Sequence, residues 1–108
     1  MLNREELLAA LQLKTEIVEL DGGPVRISEI SATDYLALWE RHRRDDDTID
    51  MATFTPELIA ACLVDDEGQR LFTDADATLL ARSAKAPFFQ LADACRRING
   101  LGGDEVKN

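Results

Sequence analysis

The run Leu58-Ile59-Ala60-Ala61-Cys62-Leu63-Val64-Asp65-Asp66-Glu67-Gly68-Gln69-Arg70-Leu71-Phe72-Thr73-Asp74-Ala75-Asp76 decides how this chain is read. Leu58, Ile59, Cys62 and Leu63 supply the buried face of a helix. Thr55-Pro56-Glu57 just upstream suits its start, with threonine as cap and proline in the first turn. The acids after Val64 end that helix. Gly68 has the backbone freedom a tight turn needs. Leu71 and Phe72 then return the chain to the core along a short extended piece. Thr73 and Asp76 have the spacing of a capping pair, and Leu79 and Leu80 carry the next helix to about Ser83.

Upstream, the period changes. Val18 and Leu20 alternate with Glu19, and Val25 and Ile27 flank Arg26. Asp21-Gly22-Gly23-Pro24 between them makes this a hairpin signature. Two strands alone are marginal in water, so the hairpin must lie on helices or pair with another chain. Its open edge is a candidate for homo-oligomer contacts.

Helical spacing governs the remainder. Asn3 and Glu6 fit a capping box before Leu7, Leu8 and Leu11, predicting a helix over residues 4 to 13. Ser31 and Asp34 repeat the pattern before Tyr35, Leu38, Trp39 and His42, predicting a helix over 32 to 44. Arg41, Arg43 and Arg44 suit its C-terminal dipole, and Asp45-Asp46-Asp47 stops it in a polar loop. Pro87 opens a last helix with Phe88, Leu91, Ala92, Cys95 and Ile98 on its apolar stripe, stopped by Asn99-Gly100. The expected architecture is α+β and mainly helical, with about five short helices and an N-terminal β-hairpin. Residues 1 to 101 are expected to form one domain and residues 102 to 108 a flexible polar tail.

Composition narrows the function classes. With 108 residues and 45% hydrophobic content, one modest core is expected. The formal charge of −9 disfavours phosphate backbones and anionic membranes. Arg41-x-Arg43-Arg44 is the one local basic cluster, and three aspartates follow it at once. No apolar run approaches the roughly 20 residues of a membrane helix, and the charged start does not read as a signal peptide. A cytoplasmic protein with Cys62 and Cys95 as reduced core thiols is the expectation.

Chemistry finds little support. Calcium loops place about six to eight oxygens at set positions, and neither Asp45-Asp46-Asp47 with Asp50 nor Asp65 to Asp76 has that spacing. Two distant cysteines and one histidine do not make a zinc motif. The glycines match neither a Walker nor a dinucleotide-binding pattern. His42 has no recognisable nucleophile and orienting partner in sequence, and reads as a surface or half-buried residue. An enzyme would require a compact cleft where acids converge beside an open apolar pocket. No cofactor and no metal are expected.

The residues that remain point to a protein partner. Phe88 and Phe89 are adjacent, so they cannot point the same way, and one is a candidate for exposure. With Leu7, Leu8 and Leu11 it would form an apolar docking patch. Arg41, Arg43 and Arg44 are candidates to steer an acidic client segment, an effect strongest at low salt.

From about residue 16 to 101 the chain resembles small tail assembly chaperones of long-tailed bacteriophages and prophages. The resemblance rests on the hairpin Val18 to Ile27, on Ile30-Ser31-Ala32-Thr33-Asp34-Tyr35, and on the run from Leu58 to Phe72. Within that run Asp65, Asp66, Gly68, Leu71 and Phe72 match the family's order of residues. Asp74-Ala75-Asp76 and Ile98-Asn99-Gly100-Leu101 complete it. The resemblance implies a non-enzymatic protein that binds the tape measure protein, keeps it soluble and helps recruit major tail tube subunits. It implies a place in the bacterial host cytoplasm and absence from the mature virion. A generic protein-binding adaptor or antitoxin-like partner is the competing expectation.

Overall fold

The computed structural model describes residues 1–101; the expected tail, residues 102–108, lies outside them. The fold is α+β, with five helices and a three-stranded sheet. Helix α1 (Arg4–Ala10) opens with the expected capping box. The Glu6 N–H donates to Asn3 Oδ1 at 2.8 Å and the Asn3 N–H to Glu6 Oε1 at 3.1 Å. The helix stops at Ala10, short of residue 13, because the sheet takes over. The Lys14 N–H donates to the Glu29 carboxylate at 2.7 Å, and the Glu29 N–H to the Lys14 carbonyl at 2.8 Å.

Strands β1 (Thr15–Leu20) and β2 (Gly23–Ser28) form the expected antiparallel hairpin, with Leu20 opposite Gly23 across the turn. Gly23 has φ +135°, a conformation that a side chain would strain. Val18 and Ile27 face the core. Strand β3 (Leu63–Val64) was expected to be helix. It instead pairs antiparallel with β2, Leu63 opposite Ile27 and Val64 opposite Arg26. The sheet order β1-β2-β3 covers the second edge of the hairpin and leaves β1 open.

Helix α2 (Ala32–His42) starts on Ser31, whose hydroxyl accepts from the Asp34 N–H at 3.1 Å. It ends two residues earlier than its sequence suggests, since Arg43 is extended and bridges to Ile49. The loop from Arg43 to Asp50 is thus a small hairpin, closed by the Arg44 N–H on the Thr48 carbonyl at 2.7 Å. Asp46 accepts from both the Thr48 N–H and hydroxyl, at 3.1 and 2.6 Å.

The largest correction concerns α3 (Met51–Cys62). It begins on Asp50, which caps the Ala52 N–H at 3.2 Å, and not at Thr55. Pro56 therefore sits in the second turn, where its missing N–H forgoes a bond to the Ala52 carbonyl. Burial outweighs that loss. Phe54, Thr55, Pro56, Leu58, Ile59, Ala60 and Cys62 are all buried, with α2, α4 and α5 packed around them.

Past β3, Asp65 makes the turn. Its carboxylate accepts from the Glu67 and Gln69 N–H groups at 2.8 and 2.9 Å, and Gly68 adopts φ +83°. The returning chain pairs back on β3, the Leu71 N–H donating to the Leu63 carbonyl at 3.1 Å. That pairing alternates the side chains. Phe72 packs on the core as expected, but Leu71 is exposed. The Thr73 N–H donates to Asp76 Oδ2 at 2.8 Å, opening one 3₁₀ turn (Asp74–Asp76) and α4 (Ala77–Ala81).

Helix α5 (Lys85–Ile98) carries Pro87 in its first turn and buries Leu91, Ala92, Ala94 and Cys95. Cys62 and Cys95 are free and buried in the core. The neighbouring Cys62 thiol together with burial pushes the Cys95 thiol up. Asn99 closes the fold from the end of α5. Its amide nitrogen donates to the Cys95 carbonyl at 2.8 Å and to Cys62 Sγ at 3.3 Å, while its oxygen accepts from the Ile30 N–H at 2.9 Å.

Candidate functional site

Three surface regions follow from this arrangement. The first lies where α2, α3 and α4 meet. His42, at the end of α2, reaches α3 on both sides of its ring. Its Nε2 is 2.5 Å from Glu57 Oε2 and its Nδ1 is 2.9 Å from Thr53 Oγ1. The Arg41 guanidinium pairs with the other Glu57 oxygen and lies 3.7 Å from Asp74. A groove of about 340 Å³ opens beside them, walled by Ala52, Pro56, Ala77 and Ala81. Sequence spacing hid this cluster, because Thr53 and Glu57 read there as flank and start of a helix that begins earlier.

Threonine, histidine and glutamate in that order resemble a nucleophile, a base and its orienting acid. In this structure each of them also makes contacts that tie the helices together. Both Glu57 oxygens are engaged, one by Arg41 and one by His42. The Thr53 hydroxyl also lies 3.2 Å from the Asp50 carbonyl at the start of its own helix. One guanidinium sits between the Glu57 and Asp74 carboxylates. The cluster is a clasp that ties α2 to α3. His42 and Glu57 side chains are only 11% and 13% exposed, so their mutual pairing offsets real desolvation.

The arginines of the expected basic patch are paired in the same way. Arg41 is held by Glu57 and Asp74, Arg43 by Glu40 and Asp47, and Arg44 by Asp50 at 3.5 Å. The Arg43 hydrogen bond and charge hold the Glu40 carboxyl below its usual range. These arginines are each paired with carboxylates of their own chain.

The second region is α1. None of its residues is buried. Leu7, Leu8 and Leu11 are 47%, 46% and 67% exposed. Their spacing puts them on neighbouring positions of one helical surface. Leu13 and Ile17 are exposed further along the chain. Of the phenylalanine pair, Phe89 is exposed, while Phe88 packs on the core with its ring edge-on to Phe89 at 5.4 Å. The family-like residues divide similarly. Asp65 and Gly68 build the turn and Phe72 anchors it, whereas Asp66 and Leu71 are exposed.

The third region is a smaller cavity of about 160 Å³ between α2 and α3, lined by Tyr35, Trp39, Met51, Phe54, Arg96 and Leu101. Trp39 lies between Tyr35 and Phe54, with ring centroids 6.2 and 6.4 Å away. Burial raises the Tyr35 hydroxyl pKa.

Among the described residues, no group of three or more His, Cys, Asp or Glu side chains is placed to hold a metal ion. No helix among them is long and apolar enough to cross a membrane. No protein-family model matches this chain, and no curated protein or solved structure does so.

Proposed function

We propose that this chain is a non-enzymatic tail assembly chaperone of a long-tailed bacteriophage or prophage, acting in the host cytoplasm. It binds amphipathic helical segments of the tape measure protein, keeps that protein soluble and helps recruit tail tube subunits. One observation carries the reading. Helix α1 is a capped, well-formed helix with no buried residue and with its leucines exposed. Helices this short are marginal alone in water, and an exposed apolar stripe is the usual mark of a protein-binding surface. A client helix laid along Leu7, Leu8 and Leu11 supplies the missing packing. Many weak contacts along a long client gain by multivalency, and the net charge keeps the assembly soluble.

The test is co-expression with the tape measure protein, pull-down, and size-exclusion chromatography with light scattering. A soluble complex with several copies of this chain per client is expected. The doubly substituted Leu7→Ser, Leu11→Ser chain should lose most of that complex while remaining folded. Because the arginines are internally paired, Arg43→Gln and added salt should leave client binding within about twofold. A client that stays equally insoluble with and without this chain would favour a generic adaptor instead.

A further inference from the structure

The cavity between α2 and α3 has a composition that core packing alone does not require. Three aromatic rings and Met51 wall it, yet Trp39 and Met51 are exposed. Its volume of about 160 Å³ is below the roughly 300 Å³ at which small-molecule pockets begin. It matches an apolar cavity of about 150 Å³, which holds one benzene-sized group.

Arg96 gives the cavity a direction. One guanidinium nitrogen, Nη2, donates to Thr55 Oγ1 at 2.9 Å. The other, Nη1, has Asp93 at 3.8 Å, beyond a hydrogen bond, and that aspartate side chain is 70% exposed. Among the described residues Nη1 makes no side-chain hydrogen bond, and a carboxylate is the partner that the guanidinium's fork geometry favours. On a chain of net charge −9, most of the surface repels an acidic segment. A cation in the wall of an apolar cavity is where such a segment is tolerated, and in one orientation.

We infer that this cavity is a docking pocket for one large apolar side chain of an amphipathic helix that carries a carboxylate one turn away. The inference rests on the protein-binding reading above and names the client chemistry. It adds an anchor distant in sequence from the leucines of α1. The apolar side chain enters the cavity beside Trp39, and the carboxylate meets Arg96 Nη1.

The chain's single tryptophan lines the pocket, so occupancy is read directly. Two alanine-based helical peptides serve as probes, each with one leucine and, four residues later, glutamate in one and lysine in the other. They are titrated into the full chain to about 5 mM, a range that captures dissociation constants near 1 mM. Trp39 emission and the Trp39 indole N–H resonance are followed. Saturable shifts are expected with both peptides, and tighter binding of the glutamate peptide by about three- to fivefold. Arg96→Gln should erase that preference and Arg96→Lys should keep it. No saturable Trp39 response, or equal affinity for the two peptides, overturns the inference, and neither result depends on a variant folding. If the tape measure protein co-purifies while neither peptide moves Trp39, the pocket fails and the chaperone reading stands. If the peptides bind as expected while the tape measure protein does not, the pocket stands and the chaperone reading falls.

Discussion

Helices α1 and α3 are both leucine-bearing and both capped by a side chain, yet they end in opposite environments. Helix α3 buries residues on every side, from Phe54 to Cys62. Helix α1 buries none. Helix α3 owes its existence to packing, strongly enough to carry Pro56 in its second turn. Helix α1 owes its existence to a capping box and little else. Leucines left this exposed gain little from folding, and that is the ground of the proposed docking role.

The contrast predicts unequal responses to substitution. Leu58→Ala removes a side chain with no exposure at the centre of α3, and should destabilise the protein by about 2–5 kcal/mol in urea unfolding. A loss under about 1 kcal/mol would mean that α3 is not the organising helix.

Next in size is Asn99→Ala. It strips the Ile30 N–H, the Cys95 carbonyl and Cys62 Sγ of one shared partner. A cost of about 1–3 kcal/mol is expected. Asn99→Asp should not rescue it, since a carboxylate cannot donate to the carbonyl.

The paired serine substitutions at Leu7 and Leu11 should change unfolding free energy by no more than about 0.5 kcal/mol each. Loss comparable to Leu58→Ala would erase the distinction between the two helices and remove the ground for a docking role.

The smallest effect concerns the hairpin between α2 and α3. The Thr48 hydroxyl and N–H hold the Asp46 carboxyl below its usual range, and Arg43 does the same to Glu40. Both folded pKa values are lowered. Their stabilisation is therefore present above the ordinary carboxylate range and is lost as pH falls through the folded values. Both groups are fully exposed, so global stability should barely respond. The Thr48 amide resonance should titrate below the ordinary aspartate range, and Thr48→Ala should move that midpoint upward.

Much of the fold was legible locally. Asn3, Ser31 and Thr73 marked three helix starts because a cap and its partner lie three residues apart. Gly23 and Gly68 marked turns because each takes a positive φ. Local signals failed where a distant segment set the outcome. Leu63 and Val64 continue an apolar run and read as helix; they become strand because Arg26 and Ile27 offer an open ladder. Thr55-Pro56 reads as a start; the start moves to Asp50 because α3 is buried from Phe54 onward.

The candidate surfaces divide the same way. The leucine stripe of α1 was visible from spacing alone, and so was the choice between Phe88 and Phe89, though not its answer. The pairing of the arginine cluster was only partly legible, because Glu40 and Asp47 are near in sequence but Glu57 and Asp74 are not. The aromatic pocket was invisible, since Tyr35, Phe54 and Arg96 come from three helices.

By itself the sequence determined most of the element types, most of the caps, the acidic balance and the α+β class. Those depend on spacing and side-chain chemistry within a few residues. The tertiary structure alone decided which leucines stay in water, which arginines are paired with distant acids and where the cavity lies. Burial and ion pairing are properties of neighbours in space, and the chain brings those neighbours from far apart.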